Sequence, residues 1–122
     1  MVSSVYDLDV YQKAYTLALK IHAVTQSFPK NEQYAMADQM RRASKGICAN
    51  LAEGFAKGHK SAPEFKRYAI IAVGSAEEMK VWLDFSRDLD FIPAPEALKY
   101  REEYSVICRQ INKLAYSWER RN

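Results

Sequence analysis

Three observations predict an all-α fold. Apolar residues recur at alternating spacings of three and four along most of the chain, proline or glycine interrupts the pattern between segments, and strand-like alternation of useful length does not occur. The first helix is expected from about Leu8 to Phe28, with Asp7 as N-cap and Val10, Ala14, Leu17, Ile21, Val24 and Phe28 as its buried stripe. Phe28-Pro29 ends it. Asn31 is placed to cap a second helix, from Glu32 to about Phe55, carrying Met36, Met40, Ala43, Ile47, Leu51 and Gly54 and ending between Gly54 and Gly58. Ser61-Ala62-Pro63-Glu64 has capping-box spacing with proline in the first turn, so it opens a third helix striped by Phe65, Ala69, Ala72, Ala76, Met79 and Leu83. That helix fades near Leu89 to Ile92. Pro93 and Pro95 mark the last connection, after which Tyr100, Tyr104, Ile107, Ile111, Leu114 and Trp118 predict a fourth helix running almost to the end.

A shared three-and-four period suits helices crossing at about 20°, and short connections place successive helices antiparallel. The expected architecture is an up-down-up-down antiparallel four-helix bundle, a single domain spanning residues 1–122. Two helices are apolar over an arc wider than one small bundle can hide. The third adds Tyr68, Ile70, Ile71, Val81, Trp82, Phe85 and Leu89 beside its core stripe, and the second adds a small-residue flank of Ala37, Ser44, Cys48, Ala52 and Phe55. Each large apolar side chain left in water forgoes about 1.5–3 kcal/mol of burial, so the excess predicts a homo-oligomer. The alternative is tilted packing within one chain, with loops lying over the surplus.

Charge narrows the function classes. A net charge of +3 and a pI near 8.8 fall short of a dedicated nucleic-acid binder, so any such role rests on where the charge sits. Between Arg41 and Arg67 there are seven Lys or Arg residues against Glu53 and Glu64 alone. Cys48 and Cys108 match no metal or redox spacing and are expected as buried thiols. The opening Met1-Val2-Ser3-Ser4-Val5-Tyr6-Asp7 has no leader character and no run approaches membrane-spanning length, so no membrane association and a cytoplasmic location are expected.

Two constellations are candidates for function. Gln39, Gly46, Asn50 and Glu53 align on one flank of the second helix, where Ser75 and Glu78 of the third helix can face them and Arg42 can neutralise a carboxylate. This strip is either a polar network fixing helix register or a small polar pocket. Mid-helix Gly46 and Gly74 each cost about 1 kcal/mol relative to alanine, which points to tight helix contacts or ligand access there, with tight packing the expectation. Catalysis has little support: His22 and His59 lack the Glu-x-x-His spacing of metal-carrying bundles, and Glu53 and Glu78 have no nucleophile or phosphate loop beside them. No enzyme activity, catalytic residue, metal or cofactor is expected. The second constellation is basic, with Arg41 and Lys45 on the outward side of the second helix and Lys57, Lys60, Lys66 and Arg67, with His59, around the following turn. Such a group can take phosphate oxygens of RNA or DNA, with salt-sensitive and largely sequence-independent binding. A solvated surface with scattered ion pairs is the competing reading. Tyr11, Tyr15 and Leu19 lie off the first helix's core stripe and offer stacking or partner contacts, or equally fill an interface.

Three separated segments also resemble a known family. Gln39-Met40-Arg41-Arg42-Ala43, Asn50-Leu51-Ala52-Glu53-Gly54 and Ala72-Val73-Gly74-Ser75-Ala76-Glu77-Glu78, with the opening Leu8-Asp9-Val10-Tyr11-Gln12-Lys13-Ala14, resemble the bacterial four-helix-bundle proteins of intervening sequences in 23S ribosomal RNA genes. Gly46 and Cys48 depart from the hydroxyl and proline-like residues expected there. That family is similar to the accessory variability protein of diversity-generating retroelements, a basic pentamer that engages nucleic acid and a reverse transcriptase. The resemblance implies a homopentameric ring acting as a nucleic-acid-binding or ribonucleoprotein accessory protein. It also implies the alternative of a scaffold that recruits a protein partner such as a reverse transcriptase.

Overall fold

The computed structural model describes residues 3–121. Among them are four α-helices, α1 (Asp9–Thr25), α2 (Met36–Gly58), α3 (Ala62–Asp88) and α4 (Ala94–Arg121), two short 3-10 turns and no strand. None of these helices is long and apolar enough to cross a membrane.

The helices begin later than their sequence signals predict at two places, for local reasons. Ahead of α1, Val5–Asp7 forms a 3-10 turn in which Ser4 Oγ accepts from the Tyr6 amide, leaving Leu8 as the N-cap with no side-chain bond. Asp7 does not cap α1; its carboxylate accepts from the Ser3 hydroxyl at 3.3 Å instead. Ahead of α2, Asn31 is likewise no cap, because Lys30–Glu32 forms its own 3-10 turn. This connection closes the end of α1: Gln33 Nε2 donates to the carbonyl of Thr25, the last residue of the helix, and to that of Phe28 beyond it, each at 2.9 Å. Open C-terminal carbonyls need such donors. Ser61 starts α3 in an extended conformation with proline in the first turn, but its hydroxyl makes no capping bond. At the far end of α3, Asp90 takes φ 62° and lets the Phe91 and Ile92 amides donate back to the Ser86 carbonyl at 2.8 and 3.2 Å. This left-handed closure is usually given to glycine.

The stripes meet in one core. Leu17, Ile21, Met40, Ile47, Leu51, Phe65, Met79, Leu83, Tyr104, Ile107 and Ile111 are all almost fully buried. Each helix packs on the next, and α1 also touches α4, through the thinnest of the four seams. The two ends of the core are tied by specific contacts. At one end Trp118 stacks on Phe65 at 4.2 Å between centroids and donates to the Gly58 carbonyl at 3.0 Å, joining α4, α3 and α2. At the other, Ser86 of α3 contacts the Met40 sulfur of α2.

The glycine expectation is overturned. A Cβ at Gly74 would meet nothing within 4 Å, and one at Gly46 would only touch Ser75 Oγ at an ordinary 3.8 Å. The tight approaches are at Gly54, where a Cβ would lie 2.9 Å from Tyr68 Cβ, and at Gly58, where it would lie 2.8 Å from Phe65 Cβ and 2.9 Å from Trp118 Nε1. The apolar surplus is also redistributed. On α2, Ala37, Ser44 and Phe55 are buried and Cys48 and Ala52 half-buried within the same chain, leaving little of that flank for another subunit. On α3, Ile70, Ile71, Val81, Phe85 and Leu89 stay exposed along the outer face.

Candidate functional site

The basic cluster separates into two groups. Arg41 is half-buried and turned into the α1–α2 connection, where its guanidinium donates to Gln33 Oε1 through both terminal nitrogens and to Thr25 Oγ1 at 3.4 Å. The expectation that Arg41 points outward to phosphate is therefore corrected. Three of its five N–H groups hold the connection whose own Gln33 closes α1. Lys45, one turn further on, is exposed, with Nζ 3.1 Å from His22 Nδ1. Arg41 and Lys57 are separated by about 24 Å of helix, too far to serve one compact patch.

The second group does assemble. Lys57 donates to the Tyr68 hydroxyl at 2.8 Å and pairs with Glu53 at 3.4 Å, while its ammonium lies 4.9 Å from the Tyr68 ring centroid. The Tyr68 hydroxyl, then Glu53, raise its pKa, which favours the charged form of Lys57. Arg67 lies 5.3 Å from the same ring and pairs with Glu64 at 3.4 Å. Lys60 and Lys66 are exposed on the α2–α3 turn and the first turns of α3. Tyr68 is the organising residue that sequence reasoning did not select. Its signal was an aromatic directly after Arg67 and, through the turn, within reach of Lys57, where cation–ring attraction contributes roughly 0.5–1 kcal/mol at an exposed site.

The predicted polar strip lies along the α2–α3 seam, but its side chains bond within their own helices. Asn50 Nδ2 donates to the Gly46 carbonyl at 2.8 Å, Arg42 pairs with Asp38 at 2.8 Å, Glu53 with Lys57, and Glu78 accepts from Trp82 Nε1 at 2.9 Å. Gln39 is exposed, and Ser75 Oγ lies 3.8 Å from where a Cβ on Gly46 would sit. An interhelical hydrogen-bond network through these six residues is thus not what the strip forms. Glu53 and Glu78, both exposed, each have a local partner of their own.

Other titratable groups are tuned by burial. The Cys48 and Cys108 thiols are free and are each pushed up to about 11, by burial in both cases and for Cys108 also by donation to Glu77 Oε1 at 3.2 Å. Burial also drives the Tyr104 phenol upward, and its hydroxyl has no protein partner. Among the described residues, no group of three or more His, Cys, Asp and Glu side chains is placed to hold a metal ion. Two of the surface clefts beside α1 differ in their lining. One, of about 420 Å³ along α4, is lined by Asp9, Lys13 and Glu103 among others; the second, of about 350 Å³ along α2, is lined by Tyr11, Tyr15, Leu19, His22, Lys45 and Cys48.

The family described as 23S rRNA-intervening sequence protein matches residues 6–113 of the chain. Among solved structures, a protein of unknown function from the S23 ribosomal protein family of Bacteroides thetaiotaomicron VPI-5482 superposes with a TM-score of 0.79 at 19% identity, over 88% of this chain and 95% of that one. At that identity the likeness is one of fold. No curated protein matches the chain.

Proposed function

Because the chain belongs to the 23S rRNA-intervening sequence protein family, we propose that it works as a non-enzymatic, homo-oligomeric nucleic-acid-binding or ribonucleoprotein accessory protein of the cytoplasm. The observation that carries this reading is the cationic turn, where Lys57 and Arg67 are gathered on Tyr68 beside Lys60 and Lys66. Ammonium and guanidinium groups concentrated at one end of a helix pair can contact successive phosphates and release counterions.

In the proposed assembly the protomer is an up-down-up-down bundle, and copies meet through the outer face of α3. Exposed Val81, Phe85 and Leu89 support this face, because together they form an apolar stripe that a second copy would cover. A ring of five, as in the accessory variability protein of diversity-generating retroelements, would bring five cationic turns together and raise avidity. Recruitment of a protein partner such as a reverse transcriptase is the second reading; exposed Tyr15 and Leu19 favour it.

Titration against RNA and against duplex DNA over a range of salt tests the first reading. The parent should lose affinity steeply as salt rises. Changing Lys57, Lys60, Lys66 and Arg67 to glutamine should flatten the log–log slope by up to about four, roughly one per lost phosphate contact. Equal binding and equal slopes for the two proteins would remove the proposal. Capture of a protein partner that survives nuclease treatment but is lost on changing Tyr15 and Leu19 would favour the second reading.

A further inference from the structure

We propose that the cleft between α1 and α2 seats one unpaired nucleobase, stacked on Tyr15 with its phosphate toward Lys45. The inference rests on the nucleic-acid reading above and adds to it a single-strand preference and a site remote from the cationic turn.

The aromatic wall is already built. Tyr11 and Tyr15 stack at 6.1 Å between centroids with an interplanar angle of 29°, and Tyr6 braces Tyr11 edge-on at 5.5 Å. Tyr11 is half-buried, whereas Tyr15 is 51% exposed, so the outer ring of the pair offers a held but open surface. Base stacking on such a ring tolerates any base, since every base has a π-face. The floor is apolar: Ala18 is buried and the Cys48 thiol beside it is protonated at neutral pH. Leu19, 58% exposed, lines the cleft between the tyrosines and His22.

The polar end lies about 10 Å along α1 from Tyr15, at the seven-residue rise to His22. There Lys45 Nζ lies 3.1 Å from His22 Nδ1 and keeps further N–H donors for an incoming oxygen. No carboxylate lines this cleft. That separates it from the α1–α4 cleft, where Asp9 and Glu103 would repel a phosphate. Its size falls within the range of small-ligand pockets, about 300–1,000 Å³. An aromatic wall, an apolar floor and a cationic end without an opposing acid are complementary to a base and its phosphate.

The test compares a short single-stranded oligoadenylate with an RNA duplex of equal phosphate number, for the parent, Tyr15→Ala, Tyr15→Phe and Lys45→Gln. Circular dichroism and light scattering run alongside. Tyr15→Ala should weaken single-strand binding by about tenfold, within the range for loss of one stacked base, and leave duplex binding within about twofold. Tyr15→Phe should retain binding, and Lys45→Gln should lower the single-strand salt slope by about one. Single-strand binding by Tyr15→Ala equal to that of the parent, with the parent binding both probes, would overturn the cleft while leaving the cationic turn in place. A parent that binds neither probe would overturn both readings. A lower oligomer mass in Tyr15→Ala would show that a second copy fills the cleft and would likewise overturn the proposal.

Discussion

The guanidinium of Arg41 holds the α1–α2 connection through Gln33 and Thr25, so its substitution should be felt in stability rather than in nucleic-acid affinity. Arg41→Ala leaves the Gln33 carbonyl without its donors and should lower unfolding free energy by about 1–3 kcal/mol in urea melts. Arg41→Lys should recover little, since an ammonium cannot reproduce the planar fork. A second prediction concerns the thiols. Both titrate near 11 in the fold against an ordinary 9.0, so the unfolded chain loses these protons first. Their stabilising contribution is whole below pH 9 and falls as pH rises through about 11. Replacing Cys48 and Cys108 by alanine should flatten the alkaline limb of a stability–pH profile in that window. Both thiols in the parent should react slowly with iodoacetamide at pH 7.5, because the thiolate is the nucleophile.

Among the helices, the glycines sort by what their missing side chains would meet. Gly58→Ala must push against Phe65 Cβ and the Trp118 indole that the Gly58 carbonyl itself holds, so a loss of about 1–3 kcal/mol in thermal or urea unfolding is expected. Gly74 sits in the interior of α3 with open space around it, and Gly74→Ala should instead stabilise by about 0.5–1 kcal/mol, the helix-propensity difference alone. Sequence alone ranks these positions the other way. A mid-helix glycine announces its propensity cost but not its neighbours, and Gly58 looks like ordinary helix-end punctuation until α4 is packed against it. Helix boundaries show the same division. Proline and capping residues located each break correctly to within a few residues, yet Asp7 and Asn31 were drawn into short 3-10 turns whose bonds outcompeted their capping roles.

For the whole molecule, the proposed assembly rests on the outer stripe of α3. Changing Val81 and Phe85 to aspartate places charge on exposed positions, so each chain should keep its helical circular dichroism while light scattering reports a monomer. Nucleic-acid affinity should then fall with the lost avidity, although the cationic turn is untouched. Unchanged mass in that variant would mean that the stripe is not the contact. The cationic turn was legible as a cluster because Lys57, Lys60, Lys66 and Arg67 are close along the chain. Arg41 was not separable from them, because charge counted along a helix does not reveal which guanidinium is bent into a neighbouring connection.

What this sequence determines unaided is periodic: four helices, their order and nearly all of their buried stripes follow from apolar side chains repeating at the helical interval, a property carried locally by each segment. Close approach and partner choice were decided only in three dimensions. The clash waiting at Gly58, the capture of Arg41 by Gln33 and the gathering of Lys57 and Arg67 on Tyr68 each join groups set by how one helix end meets another. Such contacts depend on distances and angles across a packed seam, and the pattern along a single helix holds no information about them.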